Sequence, residues 1–234
     1  MKQVDGGVCA AKGYTAAGVY CGIRKNKSKL DLALIVSSVR AACACVYTQN
    51  LVQGAPIAVT KRNVADGYAS AIICNSGNAN TCNANGVEIA AQMCDLLGVA
   101  LKIPAGDVVV ASTGVIGKPL DIEPIAGGIE PLVQALGDDS NAAAEAIMTT
   151  DLAKKEIAFE FTLGGKPCRI GGIAKGSGMI QPNMATMLGF LTTDANISPE
   201  MLQAALSADI PDSFNMVSVD GDTSTNDMVT LLAN

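Results

Sequence analysis

The sequence predicts a layered α/β domain, and three observations carry that prediction. Strand-like and helix-like segments alternate along the chain. Apolar residues make up 49% of the chain but aromatics only 3%, and there are 24 Gly. That mixture suits thin strands and closely packed helices. A length of 234 residues is enough to bury a real core, as one large domain or two small ones. Charged residues, at 16%, are too few for a disordered or coiled-coil chain.

The elements read in order as follows. Leu30 to Val36 (LDLALIV) is a continuous apolar run, as in a strand covered on both faces. Residues 43–47 read as a second strand and 68–74 as a third, which ends in the turn-rich Asn75-Ser76-Gly77-Asn78-Ala79-Asn80. Residues 86–98 place Val87, Ile89, Ala90, Met93 and Leu97 at helical spacing. Asp107 to Ala111 is a fourth strand, leading into Ser112-Thr113-Gly114-Val115-Ile116-Gly117. Helices are expected over 122–136 and 140–148, the latter with Ser140 as its N-cap. Glu156 to Leu163 and Cys168 to Ala174 flank Gly164-Gly165 as a hairpin. A glycine-rich loop runs from Lys175 to Asn183, then a strand over 184–193. Ser198-Pro199-Glu200 opens a helix with Pro at its first position. Asp220 to Asp227 is a polar loop. The closing MVTLLAN reads as helical and uncapped, so the sequence looks cut there.

Composition excludes several classes of chemistry. There is no histidine, which removes Ser-His-Asp and Cys-His catalysis within this chain and any His-ligated metal. The net charge is −6, with no basic stripe and no Trp, a poor profile for nucleic-acid binding. No apolar run reaches the ~18 residues of a membrane helix. Met1 to Gly7 has neither a signal-peptide core nor an Arg-rich transit pattern, so a cytoplasmic protein is expected. The cysteines, at 9, 21, 43, 45, 74, 82, 94 and 168, form no CxxC and read as small buried hydrophobes. Neither a metal nor a cofactor is expected.

Four segments bear on chemistry. Gly171-Gly172-Ile173-Ala174-Lys175-Gly176-Ser177-Gly178 lacks the order of a phosphate loop, with Ala174 before the Lys and Gly176 after it. Asp220 to Asp227 departs from a calcium loop, with Thr225 where Gly is needed and Leu231 where Glu is needed. Local Asx turns explain that loop, or a polar contact to substrate. Lys175 follows an apolar strand among glycines that permit close backbone approach. It reads equally as an exposed turn residue or as a point charge for a carboxylate. Thr113-Gly114 ends a Val-rich strand, where a hydroxyl and a free N–H form an oxyanion hole in some enzymes and a simple turn in many others.

Taken together the chain resembles the ornithine acetyltransferase (glutamate N-acetyltransferase, bifunctional arginine-biosynthesis) family. The residues that carry the resemblance are Gly13-Tyr14-Thr15-Ala16-Ala17-Gly18-Val19, Asp31 to Ile35, Asn75 to Asn80, Ser112 to Gly117, and Ala146-Ile147-Met148-Thr149-Thr150-Asp151. The block Ile170 to Leu188 (IGGIAKGSGMIQPNMATML) and the loop DGDTSTND are the most specific. The resemblance implies an αββα sandwich of the self-cleaving, N-terminal-Thr amidohydrolase-like type. Residues 1–193 would form that catalytic domain and residues 194–234 the incomplete start of a second, smaller α/β domain. It implies scission between Ala185 and Thr186, after which Thr186 is a chain terminus and the nucleophile. The chemistry is coherent without histidine, because a freed α-amine has a reference pKa of about 7.7–8.0 and serves as base to the hydroxyl.

By the same resemblance Thr113 and Gly114 are oxyanion stabilisers, and Thr149, Lys175 and Thr186 contact substrate. The implied reaction is ping-pong transfer of acetyl from N-acetylornithine to glutamate through an acetyl-Thr enzyme. Some members resemble synthases that accept acetyl-CoA, which the residues leave open. The implied partners are these small molecules, the chain's own cleaved half, and further copies as an oligomer of cleaved pairs, with no nucleic acid and no membrane. Family members are longer than this chain. Two alternatives stand beside this reading: an N-terminal-Thr aminopeptidase or amidase that uses water as acceptor, and an inactive, uncleaved fragment.

Overall fold

Side chains alternate across a strand, so the fold follows from which core each parity enters. A computed structural model describes residues 1–179 and 187–234. The first half of the chain forms β1 (Lys2–Val4), β2 (Tyr14–Val19), β3 (Leu32–Tyr47), α1 (Ala55–Asn63), β4 (Tyr68–Asn78), α2 (Gly86–Leu101) and β5 (Val108–Val115). Helices α3 (Glu123–Gln134) and α4 (Asn141–Ala146) follow, then the hairpin β6 (Lys155–Leu163) and β7 (Lys166–Lys175). The rest is β8 (Leu188–Thr193), α5 (Pro199–Asp209) and β9 (Met228–Ala233). The strands are hydrogen-bonded in the order β1-β6-β7-β8-β9-β3-β4-β5, with β2 also on β3.

Strand β3 joins the two layers. Its positions Ala33, Ile35, Ala41, Cys43 and Cys45 face one inner core. That core also takes Ile72 and Cys74 of β4, Val109 and Ala111 of β5, Leu188 and Phe190 of β8, and Met228 and Leu232 of β9. The opposite face is covered differently along its length. Leu32 and Leu34 meet Met93 and Leu97 of α2 and Ile125 and Leu132 of α3. Ala42 and Ala44 meet Leu202 and Leu206 of α5. The register with β4 shifts between Val36 and Ala41, where the strand passes from one layer to the other. The outcome is helices, sheet, sheet, helix, the αββα sandwich the sequence resemblance implied.

Several local expectations need correction. The runs at 30–36 and 43–47 are one strand, not two. MVTLLAN is not helical: Met228–Ala233 is a strand parallel to β8 and antiparallel to β3. All six of its residues are buried, and a short apolar run carries no period that separates helix from strand. Within residues 194–234, α5 packs against β3 and β9, and β9 is hydrogen-bonded between β8 and β3. Ser140 precedes α4, but its hydroxyl donates to the Gly6 carbonyl at 3.2 Å and to Glu156 instead of capping the helix. Ser198 does cap α5, accepting from the Met201 N–H at 3.4 Å.

Close backbone approach fixes β2 against α4. A Cβ on Gly18 would lie 2.1 Å from the Ala142 carbonyl oxygen, whereas one on Gly127 in α3 meets nothing within 4 Å. Gly18→Ala is expected to destabilise by about 1–3 kcal/mol through overpacking. Gly127→Ala should stabilise by about 0.5–1 kcal/mol through helix propensity. Denaturant titration of both variants reads the two signs, and equal effects would contradict this packing.

Candidate active site

The site is assembled where the carboxyl ends of β4 and β5 meet the end of β7 from the other layer. β4 and β5 are parallel there, with Ser76 opposite Thr113 and Gly77 opposite Gly114, followed by a register shift at Asn78. Gly114 has φ +133°, and a Cβ on it would lie 2.4 Å from the Gly77 carbonyl carbon and 2.6 Å from the Asn78 nitrogen. Only glycine fits this crossing. On the other side Lys175, the last residue of β7, is the register partner of Leu188 at the start of β8. Its Nζ donates to Thr113 Oγ1 at 3.2 Å, so one hydrogen bond spans the two layers.

These residues border a cavity of about 830 Å³, within the range of small-molecule sites. Thr113, Gly114, Thr149, Thr150 and Lys175 all line it. Four of the five positions that the sequence resemblance singled out as catalytic or substrate-binding are thus brought together. Thr186, the fifth, and Ala185 lie outside the described residues. Met179, just before that segment, lines the cavity, and its N–H donates to Asp220 Oδ2 at 2.6 Å. Met187, just after it, accepts from the Met228 N–H at 3.1 Å.

Lys175 and Thr113 are each only 7% exposed. Burial pushes the Lys175 ammonium below the ordinary lysine range, while the Asp151 and Asp227 carboxylates oppose that shift. Asp151 organises the loop beside it. Its Oδ1 accepts from the Gly176 N–H and Lys155 Nζ, both at 2.7 Å, and its Oδ2 from the Thr149 N–H at 3.1 Å. Burial alone would raise the Asp151 carboxyl, but these bonds outweigh it and hold the group below the ordinary range. A depressed folded-state pKa gives stability that is present above the unfolded value of about 4 and lost as pH falls through the folded value. Asp151→Asn should therefore lower the thermal midpoint at neutral pH, with the gap to the parent closing in that acid window. A gap independent of pH would contradict this assignment.

The Asn-rich turn serves the backbone. Asn78 Nδ2 donates to the Lys118 carbonyl at 3.0 Å, and Asn78 Oδ1 accepts from the Asn80 N–H at 2.8 Å. Asn226, in the acidic loop before β9, was not singled out by sequence. Its Nδ2 donates to the carbonyls of Ala79 at 2.6 Å and Ser112 at 3.0 Å, which pins that loop against the cavity. Sequence also missed the basic rim of Arg24, Lys25, Lys29 and Lys118. The run RKNKSK has the pattern of a solvated turn, and its only distinguishing mark is the buried Asp31 that follows. Asp31 accepts from the N–H groups of Cys21 at 2.6 Å and Arg24 at 2.9 Å, which folds the run over the cavity. Among the described residues no cluster of three or more His, Cys, Asp or Glu is arranged for a metal ion.

Comparison with known proteins finds relatives along the whole chain. The "Arginine biosynthesis bifunctional protein ArgJ" of Shouchella clausii is 47% identical over 99% of this chain and 57% of its own length. That of Symbiobacterium thermophilum is 49% identical over 100% and 59%. The chain thus spans a little under three fifths of the length of these curated relatives. The crystal structure of the Bacillus halodurans ArgJ protein has a TM-score of 0.73 and 40% identity, covering 77% of this chain and 96% of that one. Ornithine acetyltransferase from Mycobacterium tuberculosis, solved in complex with ornithine, has a TM-score of 0.72 and 33% identity, covering 78% and 98%. An L-aminopeptidase D-Ala-esterase/amidase from Ochrobactrum anthropi, a variant of the Ntn hydrolase fold, has a TM-score of 0.61 at 14% identity over 98% of this chain and 74% of that one, a likeness of fold alone. The ArgJ family profile matches residues 15–234, and with relatives this similar across the whole chain, the chain belongs to the ArgJ family.

Proposed function

We propose that this chain forms the greater part of an acetyltransferase that moves acetyl from N2-acetyl-L-ornithine to L-glutamate, in arginine biosynthesis, after scission between Ala185 and Thr186. The observation that carries the reading is the Lys175–Thr113 contact in a cavity that also holds Gly114 and Thr149. Thr186 is one residue removed from Leu188's neighbour Met187 along the chain, and Leu188 is the register partner of Lys175. The two solved family structures support the scission as well. Each is covered almost to its ends by little more than three quarters of this chain, about the share that precedes Thr186.

In the proposed mechanism Lys175 holds the substrate α-carboxylate and Thr149 contributes a second polar contact. The Thr186 hydroxyl attacks the acetyl carbonyl while the freed α-amine takes its proton. Thr113 and Gly114 stabilise the oxyanion. The C–N bond then breaks, ornithine leaves with the proton on its amine, and the acetyl group remains as an ester on Thr186. The glutamate amine attacks that ester and releases Thr186. Transfer in place of hydrolysis is tested by supplying N-acetylornithine with and without glutamate. Ornithine release that continues only when glutamate is present supports transfer. Continuous acetate release indifferent to glutamate sinks it.

The cellular setting belongs to the same proposal. Eight free cysteines, five of them buried, fit a reducing cytoplasm. Among the described residues no helix is long and apolar enough to cross a membrane. The working unit in this proposal is an oligomer of cleaved pairs.

A further inference from the structure

We propose that Arg24 selects the dicarboxylic acceptor, its guanidinium taking the side-chain carboxylate of glutamate, an inference that rests on the acetyl-transfer reading above. The chain carries a net charge of −6, yet its main cavity is lined by Arg24, Lys25, Lys29, Lys118 and Lys175, with Asp220 the one acid among the described lining residues. Such a cavity favours an anionic ligand over a cationic one. Lys25, Lys29 and Lys118 are exposed.

Arg24 is held. Its N–H donates to Asp31 Oδ2 at 2.9 Å, and its Nη2 donates to the Met148 carbonyl, next to Thr149. Its stem crosses Gly77, where a Cβ would lie 2.9 Å from Arg24 Cγ. Gly77 is in turn the register partner of Gly114. The guanidinium is therefore fixed beside the oxyanion corner. Its Nε–H finds no acceptor among the described residues, so this anchored cation keeps donor capacity unspent. A planar guanidinium with spare N–H groups matches a carboxylate in a way that a mobile ammonium does not.

Ping-pong transfer requires one cavity to accept two unlike amino acids in turn. Both carry an α-carboxylate, which Lys175 receives. At the far end N-acetylornithine bears an ammonium and glutamate a carboxylate. In this proposal Arg24 supplies a second fixed cation, which pairs with the side-chain carboxylate of the incoming glutamate.

The test uses the complete active protein, with Arg24→Gln and Arg24→Lys, and measures the two half-reactions separately. Arg24→Gln is expected to raise KM for glutamate about 10- to 100-fold, the worth of a charged hydrogen bond. It should leave the ornithine burst from N-acetylornithine alone within about twofold and narrow the preference for glutamate over glutamine. Arg24→Lys, which keeps the charge without the planar fork, should recover only part of the loss. Equal losses in both half-reactions, or a parental KM for glutamate in Arg24→Gln, would overturn the assignment. A parent protein that forms no acetyl-enzyme at all counts instead against the acetyl-transfer reading.

Discussion

Thr186→Ala should yield a single uncut chain with no acetyl transfer, the rate falling by at least about 10⁴-fold. One hydroxyl is asked to do both jobs. In the proposed mechanism it attacks the Ala185 carbonyl during maturation, and afterwards the acetyl carbonyl of the donor. With no histidine in the chain, the base proposed for the second attack is the α-amine that the first attack would create. Losing the hydroxyl therefore removes the nucleophile and prevents its base from being made. Thr186→Ser keeps a hydroxyl at the same atom and should retain both cleavage and a measurable share of transfer. Gel mobility and the glutamate-dependent assay together read the outcome. A Thr186→Ala chain that is still cut at this bond shows that another group does the cutting.

Gly114→Ala should cost about 10²–10³-fold in transfer rate, the usual worth of an oxyanion donor. The structural reason is backbone against backbone. The new Cβ would sit 2.4 Å from the Gly77 carbonyl carbon, 2.6 Å from the Asn78 nitrogen and 2.8 Å from Gly77 Cα, none of which has a rotamer to change. The residue also has φ +133°, a conformation that side chains rarely tolerate. Relief requires the ends of β4 and β5 to separate, which moves Thr113 away from Lys175. Gly117→Ala is the matched control. It shares a positive φ, +74°, but a Cβ there meets nothing within 4 Å. It should lose about 1 kcal/mol of stability with its activity largely intact. Similar activity losses in the two variants would show that the Gly77–Gly114 crossing has no special part.

Much of the fold was legible where a pattern is long. The amphipathic spacing around Met93 and Leu97 gave α2, and the Gly164-Gly165 turn gave the β6–β7 hairpin. Legibility failed where several structures satisfy one pattern. The apolar runs before and after Ser37 to Arg40 are one strand, because β3 crosses from one layer to the other within that polar stretch. The strand β9 is flanked by β8 and β3 and buried throughout, so its sequence shows neither alternation nor a polar face. Helix α1 went unseen for a different reason. It starts at Ala55 behind Gly54, which has no side chain to cap it, and its APIAVTKRN stretch has little amphipathic contrast.

The site divides along similar lines. The Thr113-Gly114 pair, Thr149 and Lys175 are far apart in sequence and were connected by family resemblance, not by local spacing. The structure adds the physical link, a buried Lys175–Thr113 bond and a glycine crossing that admits no side chain. Arg24 and Asn226 could not be found the same way. Each owes its place to a partner distant along the chain, Met148 for Arg24 and Ala79 and Ser112 for Asn226. Asp31 came closest to being readable, as a carboxylate inside an apolar strand that needs backbone donors to be buried.

The central claim is that Thr186 carries the acetyl group between donor and acceptor. Its most direct test is the mass of the separated chains of the active protein after exposure to N-acetylornithine alone. The account predicts one fragment ending at Ala185 at its unmodified mass and one beginning at Thr186 heavier by a single acetyl group, which glutamate then removes. Full activity from an uncut chain, or an acetyl group that resides on any residue other than Thr186, would contradict it.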